Sequence, residues 1–147
     1  MNAYKKLCAL SRETGLLNST NALISWDQET NMPQDAGAYR SEQLAYLSGR
    51  AHRLMTDPSV AGWIAECEDH GFENGSEEQV NVREWRWDYD RSVKLPAEFV
   101  EEFERTKSAA TQAWQEARKK NDFAMFEPHL AKVVDFSRKR ADHVGYD

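Results

Sequence analysis

Apolar side chains recur along this chain at helical spacing, and strict alternation of apolar and polar residues is almost absent. Four prolines and seven glycines interrupt the pattern. Because strands need a two-residue period and helices a period of three to four, the spacing predicts an all-α fold with no sheet. We expect about six or seven helices in an irregular antiparallel bundle, within a single helical domain that spans residues 1–147.

Prolines, capping residues and glycines set the predicted helix boundaries. Pro33 disfavours helical geometry at Met32, so a helix should end there. Asp57-Pro58 should start a short helix, and Gly145 should end the last one. The predicted helices are Ala3–Leu17 (kinked or ended near Gly15 and Asn18), Asn21–Glu29, Ala36–Met55, a short helix from Pro58, Glu77–Val93, the longest helix from Pro96 to Lys120, and Phe123–Val144 (its first turn split off near Pro128).

The helix predicted at Glu77–Val93 opens with a capping box formed by Ser76 and Gln79. Its apolar residues lie on two opposite sides, whereas one core needs only one stripe. Because a single core cannot cover both, we expect one stripe to stay exposed or to be buried in a self-contact, most simply a two-fold dimer. The two stripes are Val80 with Trp87, and Val82 with Trp85, Tyr89 and Val93.

Composition indicates a soluble globular protein, because 40% of the residues are hydrophobic and 30% are charged. The net charge of -6 argues against nucleic-acid binding, which needs a basic surface. No apolar run is long enough for a membrane span or a signal peptide, so a cytoplasmic location is the default expectation. The two cysteines, Cys8 and Cys67, fit buried free thiols in a reducing compartment.

The four histidines do not have the spacing of a zinc peptidase site. Such a site needs two imidazoles one helical turn apart with a carboxylate between them, as in His-Glu-x-x-His. His52, His70, His129 and His143 include no pair within four residues, and His129 and His143 would lie ~21 Å apart on one helix. We therefore expect no metal and no catalytic residue in this chain.

The segment Ser25-Trp26-Asp27-Gln28-Glu29-Thr30-Asn31-Met32-Pro33 combines a tryptophan, an acid and an amide at a helix end. Helix ends can present side chains to a cleft, where an Asp-Gln pair can bind a substrate or orient neighbouring groups. The other interpretation is a structural corner, with Trp26 in the core and Asp27 bonded to backbone. The residues alone leave both interpretations open.

This segment resembles the N-terminal signature of carboxypeptidase Taq-type metallopeptidases, and the resemblance extends over essentially all 147 residues. The joint order and spacing of several motifs make it specific. The further matching stretches are Arg40-Ser41-Glu42-Gln43-Leu44-Ala45, Leu54-x-Thr56-Asp57-Pro58, Asn81-Val82-Arg83-Glu84, Lys94-Leu95-Pro96, Trp114-x-x-Ala117-Arg118-Lys119-x-Asn121-Asp122-Phe123, and Phe126-x-Pro128-His129-Leu130.

The resemblance implies a helical, usually dimeric enzyme that removes C-terminal residues from peptides. It implies zinc, or cobalt, in the full-length parent, held by His-Glu-x-x-His and a later Glu downstream of the matching region. This chain would supply one wall of the substrate cleft and would be inactive alone. The residues implied to line the cleft or to form its structural signature are Trp26, Asp27, Gln28, Met32 and Arg40.

A second hypothesis is a free-standing helical interaction module without catalytic activity. The length of the native reading frame separates the two hypotheses. A His-Glu-x-x-His motif downstream would favour the enzyme, whereas a natural stop codon after Asp147 would favour the module.

Overall fold

The computed structural model describes residues 2–145. Over that range the chain forms six α-helices and two short 3₁₀ turns, with no strand, which confirms the predicted all-α class. The 3₁₀ turns, Gln34–Ala36 and Phe123–Met125, precede α2 and α6. The helices are α1 (Asn2–Thr30), α2 (Gly37–Met55), α3 (Pro58–His70), α4 (Glu77–Ser92), α5 (Ala97–Lys120) and α6 (Glu127–Val144).

Helix α1 is continuous, so the break predicted near Gly15 and Asn18 is wrong. It has 29 residues against 24 in α5, so the prediction that the helix after Pro96 is the longest is also wrong. Tertiary packing overrides the weak local propensity, because α1 runs along both α2 and α3. The end before Pro33 agrees with the prediction.

Local capping follows the sequence closely at two helix starts. The Asp57 carboxylate accepts a hydrogen bond from the Ser59 N–H at 2.9 Å, and Ser76 Oγ accepts one from the Gln79 N–H at 3.2 Å. The return bond of the capping box differs, since Gln79 Oε1 accepts from the Gly75 N–H at 2.6 Å and not from Ser76. The donor it satisfies lies one residue earlier than the box requires.

A cluster of buried apolar residues lies between α1, α3 and α4. Tyr4 contacts both Phe72 and Trp85, each at a ring-centroid distance of 5.4 Å. At the edge of this core a bidentate ion pair joins Glu68 on α3 to Arg86 on α4 at 2.7–2.9 Å. The buried residues of the core are Ala3, Leu7, Val60, Ile64, Cys67 and Val82.

The most extensive helix contact is between α2 and α5. Small residues at a four-residue spacing give α2 a flat face there: Gly37, Ser41, Ala45 and Gly49. A Cβ atom at Gly37 would collide with the side chain of Gln112, and one at Gly49 would collide with Glu101. The two helices therefore approach closely because these side chains are absent.

Helix α4 has one stripe that is largely covered, except for Val93 at its end, which is 44% exposed, and one stripe that is open. Val82 is buried and Trp85 is half-buried, whereas Val80 and Trp87 are exposed. Helix α6 packs on α5 through stacked rings, with Phe103 and Phe136 centroids 5.3 Å apart. Within residues 2–145, no helix combines the length and apolarity needed to cross a membrane.

Candidate cleft-wall corner

The signature segment lies where the end of α1 meets the start of α2. Arg40 on α2 reaches back to α1 and donates to Asp27 Oδ2 at 2.6 Å and to the Ile24 carbonyl at 2.6 Å. Its third hydrogen bond goes to Gln43 Oε1 at 3.1 Å. The guanidinium is thus held by three acceptors in fixed directions, and it ties the two helices at a defined angle.

Gln28 points into the packing of α1, α2 and α5 and is only 6% exposed. Its Nε2 donates to the Ser108 carbonyl, and Ser108 Oγ donates to Gln28 Oε1, both at 3.0 Å. Ser41 on α2 completes the cluster, with its Oγ 2.9 Å from that of Ser108. The buried polar groups of Gln28 and Ser108 therefore have partners, and three helices meet at one hydrogen-bonded point.

Trp26 and Met32 lie at the outer side of the corner. Trp26 is 56% exposed, so the interpretation that places it in the core is wrong. The reason is its position on α1: the core side is occupied by Gln28, and Trp26 lies two residues, or about 200°, away around the helix. Met32 is half-buried and follows the helix end, where its N–H donates to the Asp27 carbonyl at 2.9 Å.

The corner supports the structural interpretation more than a direct chemical role. Asp27 bonds to the Arg40 side chain rather than to backbone, and both functional atoms of Gln28 are engaged inside the protein. Sequence reasoning singled out Arg40 but missed Ser41 and Ser108 as partners. Ser41 lay within a quoted motif, whereas Ser108 is 80 residues from Gln28 and no local pattern indicates it.

A cavity lies elsewhere, between α1, α2, α4 and α5. It has a volume of about 390 Å³. Thr14, Ser48, His52 and Asp88 are among its lining residues, and none of the five signature residues reaches it. His52 Nε2 lies 2.8 Å from the Leu95 carbonyl, which fixes the imidazole as a link between α2 and the start of α5.

Comparison with known proteins decides the family. The sequence matches the carboxypeptidase Taq (M32) metallopeptidase family over residues 6–147. The chain belongs to this family. It is 35% identical over 142 residues to thermostable carboxypeptidase 1 of Thermus thermophilus, a match that covers 95% of this chain and 28% of that protein. It is 31% identical over 147 residues to thermostable carboxypeptidase 1 of Pyrococcus furiosus, covering 97% and 28%.

Solved structures share the fold of this chain. A crystal structure of a protein designated BsuCP, 24% identical, shares the fold with a TM-score of 0.94 over 100% of this chain and 30% of that one. A structure of Pyrococcus furiosus carboxypeptidase, 31% identical, gives a TM-score of 0.73 over 100% of this chain and 29% of that one. The M32 chain described here thus spans less than a third of the length of these relatives, and the resemblance to their N-terminal region is supported.

An M32 metallopeptidase requires a metal, and the residues described here do not fit one. Across residues 2–145, no group of three or more His, Cys, Asp or Glu side chains could hold an ion. His129 and His143 both lie on α6, at its two ends. Of the two free cysteines, Cys67 is buried and Cys8 is half-buried; burial and nearby Glu66 raise the pKa of the Cys67 thiol.

Proposed function

We propose that this chain forms one wall of the peptide-binding cleft of a zinc-dependent metallocarboxypeptidase, which hydrolyses C-terminal residues from peptides. Membership of the M32 family supports the reaction class, and the names of the relatives support peptides as substrates. The length that the relatives have beyond the matched region leaves room for the metal site. In this proposal the chain folds as one helical domain and is inactive alone.

The observation that carries the proposal is that Asp27 and Gln28 bond to side chains and backbone of neighbouring helices, Asp27 through Oδ2 to Arg40 and Gln28 through both amide atoms to Ser108. These bonds hold both side chains against neighbouring helices, and we assign them the role of setting the angle and depth of the wall. Arg40 belongs to the same positioning set because it holds Asp27. Met32, half-buried at the outer side of the corner, is then the signature residue available to line a cleft.

The test uses a chimera in which this chain replaces the matched segment of the Pyrococcus furiosus enzyme. In the folded chimera, we expect Asp27→Ala and Gln28→Ala to lower kcat/KM for peptide hydrolysis, because the wall moves and remote misplacement weakens catalysis. Bound metal, measured by elemental analysis, should stay unchanged. Loss of the metal would show that these residues support the metal site itself, and unchanged kinetics would contradict a role in the cleft.

The proposed inactivity of the separate chain has its own assay. The purified 147-residue chain, supplied with zinc or cobalt, should release no C-terminal amino acids from a peptide mixture, because its described residues offer no ligand set. Release of amino acids would overturn this part of the proposal. We further propose a cytoplasmic location and a homodimeric parent enzyme; cell fractionation and sedimentation of the parent test them.

A further inference from the structure

Between Gly15 and Trp26 the outer face of α1 carries no charged side chain, and Arg12 and Asp27 flank this stretch. Residues 15–26 contain no Asp, Glu, Lys or Arg, although 30% of the whole chain is charged. Within that stretch Leu16, Leu23 and Trp26 are 65%, 63% and 56% exposed. Their spacing places them within about 80° of one another around the helix, on the side away from Gln28. These three residues form the outer stripe of α1.

The segment that carries the outer stripe is a weak helix by itself. It contains Gly15 and several hydroxyl or amide residues, which favour turns and caps over helix interiors. Ser19 and Thr20 both donate to the Leu16 carbonyl, at 3.0 and 2.9 Å, and so compete with the helical ladder. A helix of this composition depends on packing, and in this chain it is packed on one side only.

The exposed stripe of α4 has a different character. Trp87 lies under the Arg91 guanidinium, 4.6 Å from its ring centroid, and Asp88 and Arg83 flank it along the helix. A cation over the ring and charged neighbours suit a face that stays in water. Trp87 is 58% exposed, nearly the same as Trp26. The two tryptophans therefore have nearly equal exposure, but Trp26 has uncharged residues before it on its helix and Trp87 has charged neighbours.

The solvent-exposed area of the chain indicates how much surface a partner could cover. The chain exposes 9505 Å². A compact monomer of 17.0 kDa exposes about 7,700 Å², so this chain exposes about 1,800 Å² more than its mass requires. A standard interface covers about 800 Å² on each partner. The excess is therefore enough for a large permanent interface, and this fold occurs as 30% of a longer chain in BsuCP.

From these observations we infer that the outer stripe of α1 is the docking surface for the remainder of the M32 carboxypeptidase fold. The inference rests on the proposed function, and it adds the face by which this helical part attaches. The occupant is polypeptide, since an uncharged stripe of leucine and tryptophan matches an apolar protein surface and offers nothing to a charged ligand. Covering the stripe also supplies the packing that α1 lacks.

Hydroxyl-radical footprinting with mass spectrometry tests the inference on the matched tryptophans. In the separate chain, at a concentration where light scattering shows a monomer, Trp26 and Trp87 should oxidise at similar rates. In the folded chimera, oxidation of Trp26 should fall about fivefold relative to Trp87, as expected when a side chain enters the centre of an interface. Equal rates in the chimera would overturn the docking surface.

A second measurement tests the inference even if the chimera does not fold. Hydrogen exchange of the native Pyrococcus furiosus carboxypeptidase should be slower in the segment aligned with residues 16–26 than in the same segment of this chain. Equally fast exchange there would also overturn the inference. An active chimera with Trp26 still exposed would refute the docking surface alone, whereas a folded chimera with Trp26 protected and no peptidase activity would refute the proposed function alone.

Discussion

Buried polar side chains are stable only when they are hydrogen-bonded, and Gln28 and Ser108 meet this condition by bonding to each other. The pair joins α1 to α5 at a point where an apolar contact would also have packed. An amide adds direction, because its donor and acceptor both need a partner in a fixed place. The same logic holds for Arg40, whose three acceptors lie on α1 and α2.

Removing the Gln28 amide should be costly. Gln28→Ala leaves the Ser108 hydroxyl without its acceptor and opens space between three helices, so we expect a loss of about 2–3 kcal/mol in the free energy of unfolding. Glu29→Ala, at the exposed neighbour on the same helix, should change it by less than about 0.5 kcal/mol. Urea denaturation measures both. Similar values for the two variants would contradict the role assigned to Gln28.

How far the sequence predicts the site can be judged at these residues. Asp27, Gln28 and Arg40 stand out because they fall in motifs, and the structure brings them to one corner. Their partner Ser108 could not be predicted, since a serine within a helix carries no local signal of a contact 80 residues away. The environment of Trp26 was equally open, because its helix has apolar residues on both sides.

At the scale of elements, the seam between α2 and α5 depends on missing side chains. Gly37 and Gly49 lie at the two ends of the small-residue face, each against a long side chain of α5. Glycine weakens a helix relative to alanine, so its presence inside α2 is explained by close approach and not by propensity.

Two glycine substitutions distinguish the effect of helix propensity on stability from the effect of helix packing. Gly62→Ala, in α3 with open space around it, should raise the free energy of unfolding by about 0.5–1 kcal/mol, because alanine is the better helix former. Gly49→Ala should lower it, because the new Cβ displaces Glu101 and disturbs its ion pair with Arg53. Thermal unfolding followed by circular dichroism distinguishes the two signs. A higher free energy of unfolding in both variants would mean that the contact between α2 and α5 has room for the added methyl group.

The ion pair between Glu68 on α3 and Arg86 on α4 makes the stability of the protein depend on pH. The hydrogen bonds from Arg86 hold the pKa of Glu68 below its ordinary value of 4.5. A lowered folded-state pKa means that the stabilisation is present above pH 4.5 and is lost as the pH falls through the lower folded value.

Glu68→Gln should therefore destabilise the protein at pH 7 by about 0.2–1 kcal/mol, the range for a partly exposed pair. The difference from the unsubstituted protein should shrink below the ordinary pKa of glutamate, 4.5, and vanish once the carboxyl is protonated in both states. Urea denaturation at several pH values measures it. A difference that persists at the acid end would show that the side chain acts through packing and not charge.

The predicted fold succeeded where helix ends have chemical signals and failed where they do not. Pro33, Asp57 and Gly145 each end or start a helix as their chemistry requires. The break expected at Gly15 and Asn18 did not occur, because contacts of α1 with α2 and α3 hold the helix through weak residues. Contacts between distant segments are not visible in a local window, so propensity alone could not decide this point.

At the scale of the whole molecule, the exposed apolar stripe of α1 leaves part of the surface without a partner. The exposed area of the chain exceeds that of a compact monomer of the same mass by about 1,800 Å². In solution without a partner, such a surface favours self-contact, most simply between two copies.

We expect the 147-residue chain to associate with itself as its concentration rises. Leu23→Asn should weaken the association about tenfold or more, since burying one leucine contributes about 1.5–3 kcal/mol. Val80→Asn serves as the comparison for the α4 stripe. Sedimentation velocity across a concentration series gives both effects. A monomer at every concentration would contradict the prediction, and a larger effect of Val80→Asn would assign the self-contact to α4.

The bond between Gln28 and Ser108 also has a consequence for the time at which the protein forms. Ribosomes add about 5–20 residues each second, so the 80 residues that separate the pair take about 4–16 s to synthesise. During that interval the end of α1 has been made but its partner on α5 has not. The side of α1 that carries Gln28 therefore lacks its α5 contact on the growing chain, which gives nascent-chain chaperones several seconds in which to bind the end of α1.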